Sequence, residues 1–164
     1  MRKSVAALVL ALSLATLALV APAAGATKKP DPCKVFKTSE IADAFGGTVG
    51  TPTKGLSTAV NATCSFDVGA TATRPKGTFH VTVMFIGAKA AYTGLKSNQS
   101  SLYQPISGLS NSLYAAPPLS VVNLLKGDIL LGVQGIFIDT TSSLRILDVK
   151  DQLVTLAKIG IKRV

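Results

Sequence analysis

Thr78-Phe79-His80-Val81-Thr82-Val83-Met84-Phe85 is the stretch that decides the fold. Phe79, Val81, Val83 and Phe85 alternate with Thr78, His80, Thr82 and Met84, the period of two that a half-buried β-strand imposes. The first set is expected to face a core and the second to face solvent. Such a strand needs partners, and the flanking sequence supplies them. Residues 59–68, which hold Cys64, read as a preceding strand, with 69–77 as the turn region between the two. Residues 48–53 read as a short, weak strand before both.

Downstream, residues 114–125 and 128–138 read as the arms of a hairpin turning at Lys126-Gly127-Asp128. The second arm, Ile129-Leu130-Leu131-Gly132-Val133-Gln134-Gly135-Ile136-Phe137-Ile138, is nearly all apolar, which predicts a central strand covered on both faces. Gly132 and Gly135 mark a bend or a close backbone approach within it.

Three helical patterns surround these strands. In Asp31-Pro32-Cys33-Lys34-Val35-Phe36-Lys37-Thr38-Ser39-Glu40-Ile41-Ala42-Asp43-Ala44-Phe45-Gly46-Gly47, Thr38 is expected as N-cap and Glu40 lies in the first turn, where the helix dipole favours an acid. Ile41, Ala44 and Phe45 make one apolar stripe, and Gly46-Gly47 ends it. Ala88, Ala91, Tyr92 and Leu95 give a second stripe. The third helix has Asp148 as expected N-cap, a buried face of Val149, Leu153, Leu156, Ala157, Gly160 and Ile161, and Lys158, Lys162 and Arg163 at its cation-favouring end. Residues 97–112 read as a long polar loop, of the kind that is often functional or mobile. The order of elements predicts an α+β fold: a single domain with an antiparallel sheet, packed helices and one disulfide.

The N-terminus reads differently. Arg2 and Lys3 precede an apolar run at 5–20 that only Ser13 and Thr16 interrupt, and Ala21-Pro22-Ala23-Ala24-Gly25-Ala26 supplies small residues at two A-x-A-like sites. This is the form of a secretory signal peptide spanning residues 1–26, cut after Ala26 or alternatively after Ala23. Residues 27–32 then form a short linker and 33–164 the domain. A transmembrane anchor would need about 20 apolar residues, more than the run supplies. Cys33 follows Asp31-Pro32, not the small-residue lipobox of a lipoprotein, so the expectation is a secreted, extracytoplasmic protein of the cell envelope that meets the membrane only through the signal before cleavage.

In an oxidising compartment the two cysteines, Cys33 and Cys64, are expected to pair. Two cysteines and the single histidine offer too few soft ligands for zinc, and no metal or cofactor is expected. The formal net charge is +9, but the lysines are scattered without an aromatic-interleaved basic run, so nucleic acid is not an expected partner. A diffuse positive surface would suit an anionic envelope or merely keep the chain soluble.

No catalytic constellation is legible. His80 lies on a polar strand face, which fits an exposed histidine better than a Ser-His-Asp arrangement. The acids Asp43, Asp67, Asp128, Asp139, Asp148 and Asp151 lie mainly at caps and turns. Gly46-Gly47-Thr48-Val49-Gly50 lacks the strand and helix that a phosphate-binding loop requires.

Asp31-Pro32-Cys33, the hydrophobic pair after it, Glu40-Ile41 and the closing glycine resemble the start of a family of actinobacterial exported proteins without an assigned function, many of them lipoproteins. Cys64-Ser65-Phe66 is similar to that family's second cysteine element. Gly108-Leu109-Ser110-Asn111-Ser112-Leu113-Tyr114 resembles its later Gly-Leu-Gly-Asp-x-Ala-Tyr segment, with Ser110 and Asn111 replacing Gly and Asp, and Lys126-Gly127-Asp128 resembles its hairpin turn. The resemblance implies the same disulfide and fold and no activity. The leading expectation is a monomeric, non-enzymatic binding or sensor-like module for an envelope component or exported protein, using a loop that carries Tyr103, Gln104, Asn111 and Tyr114. A carrier of a small apolar ligand such as a lipid is the alternative, and an uncharacterised hydrolase the remote one. An enclosed apolar cavity would favour the carrier; a filled core with an exposed aromatic loop would favour the module.

Overall fold

In a computed structural model describing residues 29–140 and 145–164, the alternation at Thr78 becomes the middle of one antiparallel sheet. The expected signal segment therefore lies outside the described residues. A one-turn 3-10 helix at Pro32–Lys34 leads into α1 (Thr38–Phe45). The chain then makes β1 (Thr53–Ser57), β2 (Asn61–Val68) and β3 (Gly77–Met84), α2 (Ala88–Asn98), and β4 (Tyr103–Pro105). It continues through β5 (Ser112–Ala115), β6 (Val121–Lys126), β7 (Ile129–Asp139) and β8 (Arg145–Ile146) to α3 (Lys150–Gly160).

The spatial order is β1-β2-β3-β7-β6-β5-β4, with β8 paired to the far end of β7. Three strands meander out, α2 carries the chain across one face of the sheet to its other edge, and four strands meander back. β7 therefore closes the sheet by pairing with both β3 and β6, which makes it central, as its apolar run predicts. The fold is α+β, mostly sheet, with the cysteines joined: Cys33 and Cys64 form a disulfide with Cα atoms 5.2 Å apart.

Register fixes two faces. Cys64, Val81, Val133 and Val122 stand side by side on the inner one, as do Val83, Leu131 and Leu124 in the next row. Ile41 and Phe45 of α1 and Leu153, Leu156 and Ala157 of α3 seal that face, and Phe36, Phe45, Phe66 and Phe79 meet ring to ring with centroids 5.4–6.0 Å apart. The helices approach closely because the sequence leaves room. A Cβ on Gly135 would come within 2.8 Å of Val149, and one on Gly160 within 2.5 Å of Phe36. Gly135 thus marks a close approach.

Several local expectations are corrected. The weak strand at 48–53 is absent; Val49 makes one bridge to Val68, and the edge strand β1 starts only at Thr53, all of its residues exposed. The arm at 114–125 is two strands, β5 and β6, because Pro117 and Pro118, joined by a cis peptide, lack ladder N–H groups and turn the chain. The polar loop at 97–112 contains the end of α2 and the edge strand β4, so it is not a long structureless excursion. Phe85 lies one residue past β3 and is only half-buried beneath the ammonium of Lys29, 4.7 Å from the ring centroid.

The caps differ too. Lys37, not Thr38, holds the N-cap position of α1, and the Glu40 carboxylate accepts its backbone N–H at 2.9 Å. Asp148 precedes the N-cap of α3, Val149, yet still receives the Lys150 N–H on Oδ1 at 3.0 Å. Glu40 also takes a two-pronged pair from Arg163, at 2.6 and 2.7 Å, while that guanidinium donates to the Val35 carbonyl. The hydrogen bonds from Arg163 hold the Glu40 carboxyl down at about 2, against the opposing effect of partial burial. This pair ties the turn that follows α3 to the first turn of α1.

Candidate functional site

The outer face is built from the other half of each alternation, and its rows are polar. Ser65, His80 and Gln134 stand abreast, followed in the next row by Thr63, Thr82, Gly132 and Asn123. α2 covers only part of this face. Ala88 and Tyr92 pack on Leu113 and Leu130, with Met84, Leu95, Tyr103 and Leu125 around them. Where α2 stops short of the polar rows, an open cleft of about 270 Å³ remains between helix and sheet.

Apolar walls from Ala91, Leu95, Met84 and Leu130 face Tyr103, Thr82 and Asn123 across this cleft, with Gly132 at its floor. Asn123 is the unusual member. Only 9% of the residue is exposed, and its carboxamide has no hydrogen-bond partner among the described residues. No buried side-chain polar atom among the described residues lacks a partner, so this amide reaches solvent through the cleft. Gly132 makes space for it, since a Cβ there would lie 3.1 Å from Asn123 Oδ1. The amide therefore looks onto the cleft with its hydrogen-bonding capacity unspent. Burial raises the pKa of the Tyr103 hydroxyl at the cleft's side, keeping it protonated and a donor at neutral pH.

The four residues assigned to a binding loop do not converge. Tyr103 lines the cleft on the outer face. Gln104 is exposed and spends its amide on the Ser100 carbonyl at 2.7 Å. Asn111 is an exposed turn residue with φ of 51°, a left-handed conformation that asparagine tolerates. Tyr114 faces the opposite way. It is buried on the inner face, its hydroxyl donates to Asp148, and burial with that carboxylate pushes its pKa far up. Asn123 was missed, although one polar residue inside Val121-Val122-Asn123-Leu124-Leu125 is itself a signal.

His80 is half-buried beyond the cleft. Burial lowers its pKa, with Asp67 opposing, and the described residues hold no group of three or more metal-ligating side chains. On the inner side, Arg74 sits 4.2 Å over the Phe137 ring and donates to the carbonyls of Phe45, Gly46, Gly69 and Pro75. Its charge complements the C-terminal end of α1, a structural use.

No family model, no curated protein and no solved structure matches this chain. Among the described residues no helix is long and apolar enough to cross a membrane.

Proposed function

We propose that the protein is an extracytoplasmic, non-enzymatic binding module of the cell envelope, and that it receives its ligand in the cleft beneath α2. The observation that carries this reading is the carboxamide of Asn123, which makes no hydrogen bond to a described residue and opens into a mostly apolar cleft. Binding sites combine apolar walls with a few placed polar groups, and this cleft has that composition. Its volume lies at the lower edge of the range for whole small-molecule sites, which suits a small amphiphile or one side chain of a protein partner better than an acyl chain. The export-type N-terminus, the disulfide and the resemblance to exported actinobacterial proteins support the location.

The test is native mass spectrometry of the chain purified from its own host, comparing wild type with Asn123→Leu. A small adduct carried by the wild type and lost from the variant is the expected result. A lipid adduct retained by both would overturn the cleft reading and favour a carrier. Detection of turnover products in place of an adduct would revive the hydrolase.

A further inference from the structure

We propose that one end of this molecule is a docking surface for an anionic lipid bilayer. Antiparallel register gathers three turns at that end. The β1–β2 turn at residues 58–60, the β3–α2 turn at 85–87 and the β6–β7 turn at 126–128 all cap the same edge of the sheet. Adjacent strands lie about 5 Å apart, so these turns share a strip roughly 20 Å wide. Ile86 donates its N–H to the Val60 carbonyl at 3.3 Å, which locks the first two turns together.

This end carries apolar side chains that the fold leaves uncovered. Leu56, Val60 and Ile86 are 67%, 41% and 56% exposed. Leu56 lies on β1, Val60 in the β1–β2 turn and Ile86 in the β3–α2 turn, so neighbouring segments place all three at one end of the sheet as an apolar ridge within the proposed surface.

Cations surround the ridge. Lys29 reaches the turn itself, its ammonium 3.5 Å from the Ala59 carbonyl. The C-terminal turn of α3 ends here as well, because Lys126 donates to the carbonyls of Ile161 and Val164 at 3.0 and 2.9 Å. That brings Lys162 and Arg163 to this end, and the Arg163 bond to the Val35 carbonyl brings Lys34. Of the acids at this end, Glu40 is paired with Arg163 and Asp128 with Lys89 at 2.8 Å, which leaves Asp31, bonded only to the Cys33 N–H, against Lys29, Lys34, Lys126 and Lys162. The remaining acids, Asp43, Asp67, Asp139, Asp148 and Asp151, sit away from it, on later α1, on the far ends of β2 and β7, and around the start of α3. The protein is thus polarised, with its excess positive charge and its apolar ridge on one end.

A soluble polyanion would satisfy the lysines and leave the ridge in water. The boundary between headgroups and acyl chains of an anionic bilayer accepts both at once. The surface is distinct from the α2 cleft, and binding there does not depend on the cleft's ligand.

Residues 27–164 contain the whole described fold and exclude the apolar N-terminal run, which would otherwise insert by itself. This oxidised chain should co-sediment with vesicles of phosphatidylglycerol and phosphatidylcholine in equal parts, and not with phosphatidylcholine alone. The triple variant Leu56→Ser/Val60→Ser/Ile86→Ser should bind at least fivefold more weakly at unchanged net charge. Lys34→Gln/Lys162→Gln should lose about tenfold, whereas Lys76→Gln/Lys150→Gln, which removes the same charge elsewhere, should lose little. All substituted side chains are exposed, and thermal melts verify that each variant is folded. Equal losses from the two lysine pairs, full binding by the serine triple, or no sedimentation with the anionic vesicles would each overturn the proposal. Full binding by the triple would point instead to a soluble polyanion.

Discussion

The two faces of the sheet are made by alternate residues of the same strands, yet they live under different rules. On β3, Phe79, Val81 and Val83 are fully buried beneath α1 and α3, while His80 and Thr82, one residue away, look onto a face that α2 covers only in part. The inner face is a sealed apolar layer cross-linked by a disulfide. The outer face keeps polar groups, including the Asn123 amide, which makes no hydrogen bond to a described residue and opens into the cleft. Stability is therefore concentrated on one side, and the other side is less completely covered.

The sharpest way to break this contrast is to truncate one residue on each face of β3. Phe79 touches the rings of Phe36, Phe45 and Phe66, so Phe79→Ala should cost about 3–5 kcal/mol. Thr82→Ala, on the outer face, should stay within about 0.5 kcal/mol. Urea unfolding monitored by circular dichroism measures both. Comparable losses would mean that the outer face is as tightly built as the inner one.

Next in size is the disulfide. Cys33 and Cys64 are 31 residues apart, so their link removes about 3–4 kcal/mol worth of chain entropy from the unfolded state. The double variant Cys33→Ser/Cys64→Ser should lose that amount while its cleft stays intact, because the bridge lies against the inner face. Loss of cleft binding in a folded double variant would show that the two faces are coupled.

Acid separates the faces by pH. Glu40, tied to Arg163 in the inner layer, has its pKa lowered from 4.5 to about 2. A carboxylate shifted in this direction stabilises the fold above its unfolded pKa, and the contribution disappears as pH falls from about 4.5 towards 2. Arg163 is partly exposed, so solvent screening limits the effect to about 1 kcal/mol. His80 on the outer face also has a lowered pKa, from 6.5, but as a base. Its unfolded form takes up a proton first, so stability begins to fall as pH drops through 6.5. Glu40→Gln should remove the lower phase of an acid-unfolding profile, and His80→Gln the smaller, higher one. Exchange of the two assignments would contradict the geometry.

How far the sequence revealed this contrast depends on what each residue's neighbours do. The alternation at 78–84 was legible because one face is buried without interruption, and β7 because burial on both faces leaves a continuous apolar run. β1 was not, since an edge strand exposed along its whole length has no apolar period. β4 is three residues ending in Pro105, too short for periodicity to register. Tyr114 was read as a loop aromatic because nothing local announces Asp148, 34 residues away. The cleft depends on α2 crossing from β3 to the far edge, a long-range fact that no local pattern encodes.

The smallest expected effect on stability belongs to the cleft. Removing a buried polar group normally destabilises, because its partner is stranded. Asn123 has no partner among the described residues to strand, and its amide is held between Gly132 and the apolar flank of the cleft. Asn123→Leu should therefore be close to neutral, within about 0.5 kcal/mol, since the amide gives up solvent contact and no hydrogen bond to a described residue. The same substitution on the inner face would have no such licence. A melting temperature close to that of wild type, together with loss of the bound adduct, is what a residue kept for binding should give. A clear drop in melting temperature would instead assign Asn123 to the structural half of the molecule.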